Sequence, residues 1–255
     1  MHSTHSYDGK ESLRELKSLL TERGISFACM TEHTDELSPA KVEAFVNACR
    51  ELSDEAFLFI PGFEVPYQHA HVLMVGSTNF VTAFADAADL KKWAEGSAVV
   101  VLAHPVRNSF KVDETLLSVI DGIEVWNQQY DGKRVPRAHS VRLLNECRQR
   151  KEGLRAFGGL DFHRKEHYGS PILSVNAVAL TESEILYELH EGSFCFGSDT
   201  VRVYARGEWR GGLSSFVMSA YSVAVIMVGK SVNAVLKSLG LSLPKKLRQT
   251  IRSKI

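Results

Sequence analysis

Cysteine is scarce and scattered. Cys29, Cys49, Cys147 and Cys195 are the only four, and no two form a CxxC pair. Such spacing argues against a disulfide scaffold and for a reducing, cytoplasmic setting. A surplus of one charge is also missing, because 30 Lys and Arg offset 30 Asp and Glu. No global field therefore draws the chain to nucleic acid or acidic ligands, and any anion binding has to be local. The opening residues lack the charged and then apolar pattern of a signal peptide. Internal repeats, low-complexity tracts and long linkers are absent, and the aromatic residues form no series on which successive bases would stack.

What is present fits one domain of barrel size, at 255 residues and 44% apolar content. Apolar runs alternate with amphipathic stretches. Strand-like segments are expected at 25–30, 57–60, 71–75, 98–103, 122–126, 154–160 and 175–180. Helices are expected at 11–23, 39–52, 83–95, 115–120, 137–151 and 181–190. Gly24 stands just past the first helix, and Thr181 with Glu184 has capping-box spacing before the last. Strands alternating with helices at this pace suggest parallel βα units. The most apolar run, Ala98 to Ala103, suits a strand covered on both faces.

Histidine is plentiful, with ten residues, and position says more than number. The first nine residues, Met-His-Ser-Thr-His-Ser-Tyr-Asp-Gly, hold His2, His5 and Asp8 and read as a strand-to-helix corner. Later strand-like runs end in Glu32-His33, Glu64, His104-Pro105 and Asp161-Phe162-His163, and His71 opens another. A bias of polar groups toward strand ends points to one shared site at one barrel mouth. The donor set is His2, Asp8, His33, Glu64, His71, His104, Asp161 and His163. Imidazole and carboxylate without thiolate suit Zn, Mn or Fe. Eight donors exceed the four of a closed structural zinc site and fit two or three divalent ions with open positions. Glu64, Asp161 and His163 are the candidate catalytic groups. Arg107 and Arg164 are the candidate anion ligands, with surface charge as the equal alternative. Glu124 and Asn127 are candidates to orient ligands. His5 is left out of the set, His71 is preferred to His69, and His139 and His190 are read as structural or exposed.

The ordered set resembles the PHP family, named for polymerase and histidinol phosphatase. The residues that carry the resemblance are His2-Ser3 to Asp8-Gly9, Glu32-His33, Gly62-Phe63-Glu64, Leu102-Ala103-His104-Pro105 and Asp161-Phe162-His163, with His71 at a further ligand position. It spans roughly residues 1 to 200. The resemblance implies a distorted (β/α)7 TIM-like barrel and metal-dependent hydrolysis of a phosphoester in a small metabolite or nucleotide. Two alternatives stay open: an exonuclease acting on nucleic acid ends, and a degenerate, non-catalytic domain. His2 matches the second histidine of the family's opening His-x-His. The resemblance therefore implies a first strand and a first histidine ahead of Met1, about five to ten residues in all.

The barrel-like pattern stops near residue 208, and 209–255 reads as a helical extension. No residue from Gly211 to Gly229 is charged. A helix packed on the barrel or on a second subunit is the first expectation there, and a membrane helix the second. The tail beyond Pro244 carries Lys245, Lys246, Arg248, Arg252 and Lys254 with no acid, a pattern that would also suit anionic lipid or RNA.

Overall fold

A computed structural model describes residues 1–80, 89–90, 98–211, 228, 231–232, 235–236 and 238. The helix expected at 83–95 and the extension beyond Gly211 lie largely outside these residues. The chain starts in turns rather than a strand, and its first helix, α1 (Leu13–Thr21), is set by a capping box. Ser12 accepts from Glu15 N, and the Glu15 carboxylate accepts from Ser12 N. Leu13, Leu16 and Leu20 then face the core. β1 (Phe27–Cys29) and β2 (Glu32–His33) follow, then α2 (Pro39–Leu52), capped by Ser38 and opened by a proline whose missing N–H costs nothing there.

β1 pairs in parallel with β3 (Leu58–Ile60), and β2 pairs in parallel with β4 (Gly62–Tyr67). The two pairs continue one another, because Met30 N donates to Ile60 O at 2.8 Å between them. Gly62 sits at the junction, where a Cβ would come within 2.5 Å of Met74 O and 2.7 Å of Met30 O. From β4 the chain turns back at Gln68 and His69 into β5 (Ala70–Val75), which is antiparallel to β4 and to β6 (Val99–Ala103). All five residues of β6 are buried.

The later chain adds α3 (Glu114–Val119), β7 (Gly122–Asn127), α4 (Gln128–Asp131), α5 (Ala138–Arg148) and β8 (Arg155–Gly159). β6, β7 and β8 are parallel neighbours, which completes a six-stranded sheet ordered β2-β4-β5-β6-β7-β8. A 3-10 turn at Lys165–His167 and β9 (Ile172–Val175) lead to α6 (Glu182–Glu191). Thr181 caps α6 by accepting from Glu184 N, but the Glu184 carboxylate turns to Val178 N, so only half of the expected capping box forms. β10 (Phe194–Gly197), β11 (Val201–Tyr204) and β12 (Trp209–Gly211) complete an antiparallel sheet with β9.

The architecture is mixed α/β with a sheet rich in parallel pairs. Three features depart from the sequence reading. The β4–β5 connection is a tight hairpin, so the strands do not alternate strictly with helices. The strand expected at 175–180 lies earlier, at β9. The sheet of β9 to β12 was not foreseen, and its strands pair as far as Gly211. Met1 and His2 bridge two edges: Thr31 N donates to Met1 O, and His2 N donates to Phe162 O, each at 2.8 Å. Beneath this bridge lies a cavity of about 160 Å³ between β1 and β8, lined by Leu20, Phe27, Val101, Phe157 and Leu189 among others. Among the described residues no helix is long and apolar enough to cross a membrane.

Candidate metal centre

Strand register brings the donors together. His33, the last residue of β2, pairs with Glu64 on β4, and Glu64 thereby enters the interior. His71 on β5 lies opposite Pro66 and Ala103, one residue short of His104. Asp161 and His163 follow β8. His2 and Asp8 arrive on the amino-terminal loop, which a buried carboxylate holds in place. Glu32 accepts from Ser3 N at 2.9 and 3.1 Å, from Ser3 Oγ at 2.6 Å and from the Ser6 hydroxyl. Ser6 Oγ also accepts from His33 N at 2.9 Å, which ties the loop to β2. Gly9 closes the loop in contact with it, since a Cβ there would meet Ser3 O at 1.9 Å.

All eight donors meet in three overlapping groups, each with ligand atoms within 4.8 Å of one another. One is His2, Asp8, His33 and His163; a second is Glu64, His71 and His104; a third is His2, Glu64 and Asp161. His2 and Glu64 each serve two groups. His2 Nε2 lies 3.4 Å from Glu64 and 3.5 Å from Asp161, and His163 Nε2 lies 3.1 Å from Asp8. His104 Nε2 lies 3.0 Å from Glu64 Oε1, which His71 Nδ1 also contacts. His163 Nδ1 is 2.8 Å from the Asp161 carbonyl, so its N–H donates there and Nε2 is left with a lone pair toward Asp8.

The donor chemistry fits divalent ions. His2 stacks between His33 and His163, with ring centroids at 4.4 and 4.2 Å. Three imidazoles so close cannot all be protonated without strong repulsion, but as neutral ligands they present lone pairs. Asp8 Oδ1 and His104 Nδ1 are buried and have no hydrogen-bond partner. Burial alone pushes the His2 imidazole down, but the Asp161 and Glu64 carboxylates outweigh it and lift its pKa to about 9. Burial raises the Glu64 carboxyl, and the imidazoles of His104, His2 and His71 overcome that and hold it well below the usual range. Burial, then the charge of His2, lowers His33. These are the shifts of a site built to hold positive charge among carboxylates.

Two donors sit on unusual backbone, His104 at φ 24° and Asp161 at φ 49°. Non-glycine residues at such angles cost roughly 1–3 kcal/mol each and gather where geometry matters for function. Glu124 and Asn127 hold them. Glu124 Oε2 accepts from His104 N at 2.6 Å and from Asn127 Nδ2 at 3.0 Å, and the same Nδ2 lies 3.5 Å from Asp161 Oδ2. Full burial pushes the Glu124 carboxyl up to about 8.

The two arginines part company. Arg107 lies at the rim, its Nη1 3.5 Å from His71 Nδ1. Arg164 instead directs Nε to His167 Nε2 at 2.9 Å. His5 packs on Phe45, His139 packs on Phe110, and His69 is exposed. Sequence reasoning missed the serine clamp of Ser3 and Ser6 on Glu32. It also missed His167, whose Nδ1 lies 3.3 Å from His163 N, and the rim rings Tyr7 on His33 and Tyr130 on His104. The Glu32-His33 pair was visible, but nothing in the spacing told that Glu32 faces serines rather than metal.

No protein-family model matches the chain, and no curated protein matches it. Among solved structures, the chain is similar to a candidate metal-dependent phosphoesterase from Bifidobacterium adolescentis. The TM-score is 0.47 and the identity 15%, over 66% of this chain and 88% of that one. A likeness at that level bears on neither the activity nor the substrate, and the case for this chain rests on its own donor geometry.

Proposed function

We propose that the chain is a metal-dependent phosphoesterase of the PHP type, with a distorted barrel of that family as its frame. One observation carries the reading: eight nitrogen and oxygen donors converge in three groups that share His2 and Glu64. Shared donors suit neighbouring ions, and a closed structural site has no use for them. Asp8, His2, His33 and His163 would hold one ion, and Glu64, His71 and His104 another. Asp161, with Glu64 and His2, would join them or hold a third. Two or three ions of Mn, Zn or Fe, when bound, would supply an acidified water and neutralise phosphoryl charge.

The chain's own residues do the rest. Hydrolysis joins a water oxygen to phosphorus and breaks the P–O ester bond, and the departing alkoxide takes up a proton. Glu64 and Asp161, whose carboxylates both lie beside His2 Nε2, would hold such ions close together. His163 would hold its ion through Nε2 while its Nδ1–H is given to the Asp161 carbonyl, and the proton that the attacking water releases passes to the departing alkoxide. Arg107 brings a fixed cation to the phosphoryl oxygens from the rim. Arg164 does so only on leaving His167. The buried donors and the aromatic rim of Tyr7 and Tyr130 limit water around the reacting centre.

The test is elemental analysis of freshly purified protein, together with phosphate release from sugar phosphates, nucleotides and short oligonucleotides. Bound Mn, Zn or Fe and release from a monoester are expected. Protein that binds no divalent ion and hydrolyses no member of the panel would overturn the reading. Release from oligonucleotides alone would move it to nucleic acid ends.

A further inference from the structure

A second concavity adjoins the metal centre. Its volume is about 530 Å³, within the range of small-molecule sites, and it is lined by Gln68, His69, His71, Arg107, Asn108 and Lys111 among others. It collects two fixed cations and two imidazoles, and among the described residues none that lines it is an acid. In a chain of zero net charge this is a local surplus. The concavity and the centre share His71, whose Nδ1 meets Glu64 on one side and lies 3.5 Å from Arg107 Nη1 on the other.

The walls are shaped by the backbone. Gln68 in the β4–β5 turn stands at φ 51°, and Ser109 and Phe110 in the loop after β6 both stand at φ 59°. L residues rarely adopt such angles. Hydrogen bonds hold the second wall: Arg107 N to His104 O at 2.9 Å, Phe110 N to Pro105 O at 2.8 Å, and Asn108 Nδ2 to Lys111 O at 2.8 Å. The cations therefore stand on a loop anchored directly to a metal-ligand histidine.

We propose that this basic pocket binds a second anionic group of the substrate. The preferred phosphoester is then one that also bears a phosphate or carboxylate a few bonds from the scissile ester. Lys111 and His69 take that second group, and Arg107 stands between it and the reacting phosphate. The proposal rests on the phosphoesterase reading above and adds a specificity that reading does not contain.

The experiment uses the full chain loaded with Mn and two matched pairs: glycerol 3-phosphate against 3-phosphoglycerate, and fructose 6-phosphate against fructose 1,6-bisphosphate. The expected result is a kcat/KM about 10-fold or more higher for the doubly anionic member of each pair, carried by KM. That is the size of one charge-assisted contact. Lys111→Ala should reduce the preference, and Lys111→Glu should abolish it. Equal kcat/KM within both pairs, or a preference that survives Lys111→Glu, would overturn the proposal. A second readout does not depend on turnover: calorimetric binding of methylenebisphosphonate against methylphosphonate. The pocket requires tighter binding of the bisphosphonate and loss of that advantage in Lys111→Glu, and equal affinities would refute it. If no substrate turns over while the bisphosphonate preference holds, the phosphoesterase reading fails and the anion pocket stands.

Discussion

Replacing Glu32 tests how the amino-terminal loop delivers two of the eight donors. Glu32 is fully buried and accepts from one amide and two hydroxyls, those of Ser3 and Ser6. Glu32→Ala leaves all three donors without an acceptor. A buried unsatisfied donor costs roughly 1–3 kcal/mol. The hydroxyls can rotate toward other acceptors, so the Ser3 amide dominates and the total comes to about 2–4 kcal/mol. A domain stable by about 5–15 kcal/mol survives that loss. Glu32→Gln keeps one acceptor oxygen and forfeits the charge, for about 1–2 kcal/mol. The larger effect falls on metal binding, because the loop carries His2 and Asp8. Losing an outer partner of a metal ligand typically costs 10–100-fold in affinity, and Glu32→Ala should lie at the upper end of that range. Competition with a chelator measures the affinity, and urea melts with and without metal measure stability. A Glu32→Ala protein that is destabilised yet binds metal within about 2-fold of wild type would refute the idea that this carboxylate organises the site.

Three further outcomes are expected. His104→Ala and Asp161→Ala should each lose more activity than the roughly 10–100-fold attached to an outer partner while remaining folded by circular dichroism; full activity in either would remove that residue from the centre. In chelator-treated protein, His2 has a pKa raised from 6.5 to about 9. Its protonated pairing with Glu64 and Asp161 therefore contributes stability fully below pH 6.5, and that contribution is lost as pH rises through about 9. Metal needs the neutral ring, so binding should release a proton below pH 9 and tighten as pH rises; calorimetry in buffers of different ionisation enthalpy reads the proton, and no release at pH 7 would contradict the assignment. Burial pushes the Cys29 thiol from 9.0 to about 12, which leaves about 1000-fold less thiolate than an ordinary cysteine. Iodoacetamide at pH 8 should leave Cys29 unmodified in the native protein, as mass spectrometry of its peptides would show, and rapid labelling would mean that β1 opens readily.

Much of the site was legible because donor type and nearness to an apolar run are local properties of a chain. His33, Glu64, His104 and Asp161-Phe162-His163 could be picked out in this way, and the folded chain gathers all of them. The same logic failed at β9 to β12. Val201–Tyr204 has the alternation of a half-buried strand, yet four residues are too short to separate strand from loop without knowing what covers them. It failed again at β4–β5, where Gln68-His69 lacks the glycine or asparagine that marks a tight hairpin turn.

The amino-acid order by itself determined the inventory of donors, imidazoles and carboxylates with no cysteine in the set, and the apolar strands that present them. Tertiary structure alone decided which donors lie close enough together to hold one ion. His2 reaches Glu64 and Asp161 only because Met1 and His2 bridge from Thr31 to Phe162. It also decided that Arg107 stands beside His71 while Arg164 turns to His167, and that Glu32 binds serines instead of metal. The physical reason is common to all three. A side chain's partners depend on strand register and loop closure, and both are set by packing between segments that lie far apart in the chain.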